Sequence, residues 1–124
     1  MIVADDDPDV VCTIKSGLSN LTNSYEVIGA ESGEDCIALL KGGLMPDLII
    51  LDIMMPGMDG WETHRVLKEN EQWGHIPIVF LTALDDEKTI KRGMETNSYC
   101  IKKPFDIREL KERVDFILER DELF

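Results

Sequence analysis

Two stretches of this chain, Leu48-Ile49-Ile50-Leu51 and Ile78-Val79-Phe80-Leu81, are continuously apolar and rich in β-branched residues. A strand with one wet face alternates apolar and polar residues. An unbroken apolar run of this length reads instead as a strand covered on both faces, the habit of a parallel sheet. Ile2-Val3-Ala4, Tyr25 to Ala30 and Ser98 to Ile101 form weaker runs of the same kind. Amphipathic stretches with helix signals lie between them. Asp7-Pro8 supplies a cap and a proline at the first helical position, ahead of an apolar face of Val10, Val11, Ile14, Leu18 and Leu21. Ser32 caps a second helix bearing Cys36, Ile37 and Leu40, which Gly42-Gly43 ends. Asp59 opens a third, running to about Asn70, and a fourth is expected from Asp85 to about Glu95 with a thin stripe of Ile90 and Met94. In the last helix Asp106 is the cap and Glu109 completes a capping box, with Ile107, Leu110, Val114, Ile117 and Leu118 as the stripe. Five strand–helix units in alternation imply a doubly wound α/β fold.

A chain of 124 residues suits one compact domain. A single domain over residues 1–124, with no output domain in this chain, is the expectation. The net charge of -12 leaves no surplus of Lys and Arg to neutralise phosphates, which argues against a nucleic-acid partner. Cys12, Cys36 and Cys100 are scattered and form no CxxC pair, so they read as small buried apolar residues of a reduced, cytoplasmic protein. The longest apolar runs are far too short to span a membrane, and no signal-peptide pattern opens the chain.

Open α/β sheets bind ligands beyond the carboxyl ends of their strands. The polar residues that follow each apolar run are therefore the candidates for chemistry. The first run ends in Asp5-Asp6-Asp7, the third in Asp52, the fourth in Thr82 and the fifth in Lys102-Lys103-Pro104. Clustered carboxylates repel one another, and a hard divalent cation with oxygen ligands relieves that repulsion. A carboxylate can attack phosphorus, and phosphoryl transfer needs little beyond alignment and neutralisation of the equatorial oxygens. A metal, a hydroxyl and an ammonium meet that need. Asp7 is set aside as a helix cap because Pro8 follows it. His64 and His75 lie off the strand ends and are expected to be exposed, and Trp61 reads as a helix anchor.

The motifs resemble those of response-regulator receiver domains, the family that includes chemotaxis response regulators, over essentially the whole chain. Ile2 to Pro8 (IVADDDP) is similar to that family's first-strand acidic motif, and Leu48 to Gly60 (LIILDIMMPGMDG) to its phosphoacceptor strand and loop. Leu81-Thr82-Ala83 matches the hydroxyl position, and Lys103-Pro104-Phe105 matches a lysine–proline step whose peptide bond is typically cis. The resemblance implies a (βα)5 flavodoxin-like three-layer sandwich with a five-stranded parallel sheet in the order 2-1-3-4-5. It implies Asp52 as phosphorylated nucleophile. Mg²⁺, or Mn²⁺ in its place, would be held by Asp6, Asp52 and the Met54 carbonyl, with Asp5 acting largely through water. Thr82 would bind a phosphoryl oxygen, and Lys103 would pair with Asp52 and then with the phosphoryl group. The implied donor is a phosphohistidine on a sensor kinase or phosphotransfer protein, and a downstream partner would dock on the face formed by the fourth helix and fifth strand. Such a domain catalyses only its own phosphotransfer and slow autodephosphorylation, and is not an enzyme in the usual sense.

Two features depart from the family pattern. Cys100 stands three residues before Lys103, where Tyr or Phe is usual, and Tyr99 points to the opposite face of a strand. Thr96-Asn97 replaces a usual glycine before the fifth strand. A phosphorylation-independent interaction module on the same fold is the competing reading that Cys100 motivates. Retention of Asp5, Asp6, Asp52, Thr82 and Lys103 opposes it. A true enzyme is disfavoured by the lack of a Walker lysine motif and of a second acid two residues after Asp52.

Overall fold

A computed structural model of the chain describes residues 1–83, 91 and 99–122. The strands are β1 (Ile2–Ala4), β2 (Ile28–Ala30), β3 (Ile49–Asp52), β4 (Ile78–Thr82) and β5 (Tyr99–Lys102), and the helices among the described residues are α1 (Pro8–Leu21), α2 (Gly33–Lys41), α3 (Gly60–Glu69) and α4 (Ile107–Glu122). The strands form one parallel sheet in the order β2-β1-β3-β4-β5, the flavodoxin-like arrangement anticipated. The helix expected from Asp85 to about Glu95 falls, apart from Lys91, outside the described residues.

The apolar runs explain the layering. β3 and β4 are buried along their whole length, and their alternating side chains feed two separate clusters. Ile49, Leu51, Ile78 and Phe80 pack with Cys36, Ile37 and Leu40 of α2 and Leu67 of α3. Ile50, Val79 and Leu81 pack on the other face with Ile14 and Leu18 of α1 and Leu110, Val114 and Ile117 of α4. Burying one such side chain contributes about 1.5–3 kcal/mol, so the two faces together are the main source of stability.

The helix starts follow their caps. Asp7 accepts a hydrogen bond from the Asp9 amide, Ser32 from Asp35, and Asp59 from Glu62. Asp106 accepts from Arg108 at 2.8 Å and from Glu109 at 3.4 Å. Three sequence expectations change. The second strand covers only Ile28–Ala30, and the Tyr25 hydroxyl, ahead of it, donates to Asp115 on α4. Cys12 lies on the exposed side of α1, so only Cys36 is a fully buried thiol. His64 is buried, with its ring 5.4 Å from that of Phe80.

Candidate functional site

Strand register sets the site. Ala4 of β1 pairs with Leu51 of β3, so Asp5 and Asp52 emerge side by side at the next level. Asp52 pairs with Leu81 and Thr82 with Lys102, which carries Thr82 and Lys103 to the same edge. Asp5, Asp52 and Thr82 are buried, whereas Asp6 is exposed. One carboxylate oxygen from each of Asp5, Asp6 and Asp52 lies within 4.8 Å of the other two.

The hydrogen bonds divide these groups by task. Asp5 accepts from the Asp7 amide at 2.9 Å and, through its other oxygen, from the Lys103 ammonium at 2.7 Å. That ammonium lies 3.5 Å from Asp52, which also accepts from the Met54 amide at 3.4 Å. Lys103 thus sits between two carboxylates and nearer to Asp5. Its own amide donates to the Thr82 carbonyl at 2.7 Å, linking the hydroxyl and ammonium positions through one backbone bond. The Lys103–Pro104 peptide is cis. Asp7 caps α1 and takes no part in the cluster.

Charge is costly here. Burial and then the neighbouring Asp5 push the Asp52 carboxyl up to about 6, against the opposing pull of Lys103 and the Met54 amide. Burial works against the Lys103 ammonium, but the hydrogen bond and charge of Asp5, joined by the charge of Asp52, outweigh it and raise its pKa. Asp52 is thus a carboxylate whose charged form a bound cation would favour. The ligand oxygens of an octahedral Mg²⁺ lie about 3–4 Å apart, given its short metal–oxygen bonds. One oxygen from each of Asp5, Asp6 and Asp52 lies within 4.8 Å of the other two, near that span.

The loop from Ile53 to Asp59 carries Met54 past this cluster. Gly60, at the start of α3, packs so closely on β3 that a Cβ there would lie 2.5 Å from the Asp52 carbonyl oxygen. Gly57 turns the loop with φ +75, a conformation that glycine adopts without steric cost. On the far side the Met58 amide donates to Glu34 of α2 at 2.9 Å. Sequence reasoning missed Glu34. An acid in the first turn of a helix is ordinarily read as a partner of the helix dipole, and nothing local points to a bond made 24 residues away.

A profile of the response regulator receiver domain matches residues 1–115. This chain belongs to that family. The receiver domain is 35% identical over 124 residues to the alkaline phosphatase synthesis transcriptional regulatory protein PhoP of Bacillus subtilis, covering 99% of this chain and 50% of the relative. It is 34% identical over 119 residues to the sensor histidine kinase TmoS of Ectopseudomonas mendocina, covering 95% of this chain and 12% of that protein. The receiver domain therefore spans about half or less of these curated relatives. Among solved structures it resembles a CheY-like response regulator receiver domain protein from Methanospirillum hungatei, with a TM-score of 0.81, 37% identity and coverage of 99% of this chain and 96% of that one. Its family consists of signalling domains of two-component systems, which take phosphoryl groups from histidine kinases and bind Mg²⁺ in an acidic pocket. In this receiver domain Cys100 pairs with Phe80 in the sheet and packs on the α2–α3 face, while the exposed Tyr99 borders Phe116 on the α4 face. Strand alternation separates the two as expected.

Proposed function

We propose that Asp52 is the phosphoacceptor of this domain and that a phosphohistidine on a sensor kinase or phosphotransfer protein is its donor. An oxygen of Asp52 bonds to phosphorus as the phosphorus–nitrogen bond breaks, and the electron pair of that bond returns to the imidazole of the donor. Asp5, Asp6, Asp52 and the Met54 carbonyl would hold Mg²⁺, or Mn²⁺ in its place, with Asp5 contributing largely through water. The cation would neutralise the carboxylates and the phosphoryl oxygens. Lys103 reaches the transferred group by moving from Asp5, and Thr82 offers a hydroxyl to one of its oxygens. Neutralisation of the equatorial oxygens supplies most of the catalysis in such transfers.

The convergence of Asp5, Asp6, Asp52, Thr82 and Lys103 at one sheet edge carries this reading. Residues 1–124 act as one receiver unit in the cytoplasm, and a downstream protein reads the state of the site from the face that includes β5. No described helix is long and apolar enough to cross a membrane. The test is incubation with Mg²⁺ and acetyl phosphate followed by intact mass measurement. The parent gains one phosphoryl group and Asp52→Asn gains none, with its fold retained. Undiminished labelling of Asp52→Asn would sink the assignment.

A further inference from the structure

The loop that passes the acidic cluster is fastened at its outer end by α2. The Glu34 carboxylate accepts the Met58 amide at 2.9 Å. Gly57 lies under the same oxygen, since a Cβ on it would sit 3.1 Å from Oε1. At the preceding position of α2, a Cβ on Gly33 would meet the Met58 carbonyl at 3.2 Å and clash with the Thr63 hydroxyl. The inner end of the loop is fixed too, by the Gly60 amide donating to the Ile53 carbonyl at 2.9 Å and the Met54 amide donating to Asp52. Between these anchors Met54 has an exposed side chain and Pro56 and Gly57 are exposed.

We infer that Glu34 is a positioning residue for the divalent-cation site, holding the Met54–Met58 loop so that the Met54 carbonyl stands beside Asp5, Asp6 and Asp52. This rests on the reading of that cluster as a metal site. Glu34 is exposed and touches no ligand in the cluster, so it acts only through the backbone it restrains. Its own amide and that of Met58 hold its carboxyl below the usual range, and it therefore remains an acceptor at neutral pH. Without it the outer half of the loop loses a charged hydrogen bond that is made across elements, and an ordering cost falls on cation binding instead.

The experiment compares the parent, Glu34→Ala and Glu34→Gln by Mg²⁺ titration and by hydrogen exchange at the Met58 amide. Loss of a hydrogen bond to a charged group at an exposed position should weaken Mg²⁺ binding by about three- to tenfold in Glu34→Ala. The Met58 amide should exchange faster in that variant while the melting temperature stays near the parent's. Glu34→Gln keeps a carbonyl acceptor and should recover most of both properties. Unchanged Mg²⁺ affinity in Glu34→Ala, in a protein whose parent binds Mg²⁺ and whose Asp52→Asn variant is unlabelled, overturns the inference and leaves the phosphoacceptor reading standing. Equal weakening in Glu34→Gln also overturns it, by showing a charge effect without a tether. A parent that binds no Mg²⁺ overturns both readings, even if Met58 exchange responds to Glu34.

Discussion

Gly60→Ala probes the contact between α3 and the end of β3. The added Cβ would stand 2.5 Å from the Asp52 carbonyl oxygen and 2.7 Å from the Ile53 Cα. Both are backbone atoms and cannot rotate aside, so the contact must open by about 1 Å to reach ordinary carbon–oxygen separation. Overpacking of this kind costs about 1–3 kcal/mol. Exchanging glycine for alanine in a helix returns up to about 1 kcal/mol, less at the first turn. The clash wins, and a net loss of about 1–2 kcal/mol lowers the melting temperature by roughly 4–8 °C for a domain of this size. The strain falls on the Asp52 peptide itself, where a displacement approaching 1 Å slows phosphoryl transfer by at least about tenfold. Gly42→Ala is the control, because a Cβ there meets nothing closer than the Leu39 carbonyl oxygen at 3.4 Å. Calorimetry and the initial rate of labelling by acetyl phosphate read the two effects. A Gly60→Ala protein that melts and labels like the parent would show that α3 floats freely on β3, and the argument would fail.

Asp6→Ala should weaken Mg²⁺ binding more than Asp5→Ala, because Asp6 is exposed while Asp5 is occupied by the Asp7 amide and Lys103; a titration read by Trp61 fluorescence that gave the reverse order would refute this. His64 has its pKa lowered by burial and then by Lys68, so its contribution to stability is present above the ordinary value of about 6.5 and is lost as pH falls through the lowered folded value. His64→Phe should therefore show a smaller fall in melting temperature than the parent on acidification from neutral pH, and identical pH profiles would count against it. The residues two positions after Asp52 and after Thr82 are Met54 and Leu84, neither able to orient a water; Met54 is exposed, and Leu84 lies outside the described residues. The phosphorylated form should persist for minutes to hours, and Met54→Asn with Leu84→Glu should shorten its lifetime by about a hundredfold, an idea that ends if the double variant decays no faster than the parent.

The parts of this domain that were legible in its sequence are those where one residue type does one job. Unbroken apolar runs can only be doubly covered strands, and β3 and β4 are such strands. Asp7, Ser32 and Asp59 cap helices because their side chains reach amides two or three residues on. Asp5, Asp52, Thr82 and Lys103 could be grouped from strand ends alone, since parallel register delivers them to one edge. Contacts between distant segments were not legible. Tyr25 looks like a strand residue until Asp115, on the last helix, claims its hydroxyl. His64 looks polar and exposed until Phe80 offers a ring to pack on. The preference of Lys103 for Asp5 over Asp52 is a matter of less than an ångström, 2.7 against 3.5 Å, and residue order alone does not encode it.

The two apolar clusters share strands but no side chains. The sheet between them acts as a partition, so a cavity opened beside Ile14 leaves the packing around Ile37 as it was. Costs of substitution on opposite faces add to within about 0.5 kcal/mol. Each layer can drift in sequence without asking the other for compensation, which leaves a lineage two interiors to revise separately. Asp5, Asp52, Thr82 and Lys103 stand on strand ends that belong to both layers, so the reactive edge is where the two revisions must agree.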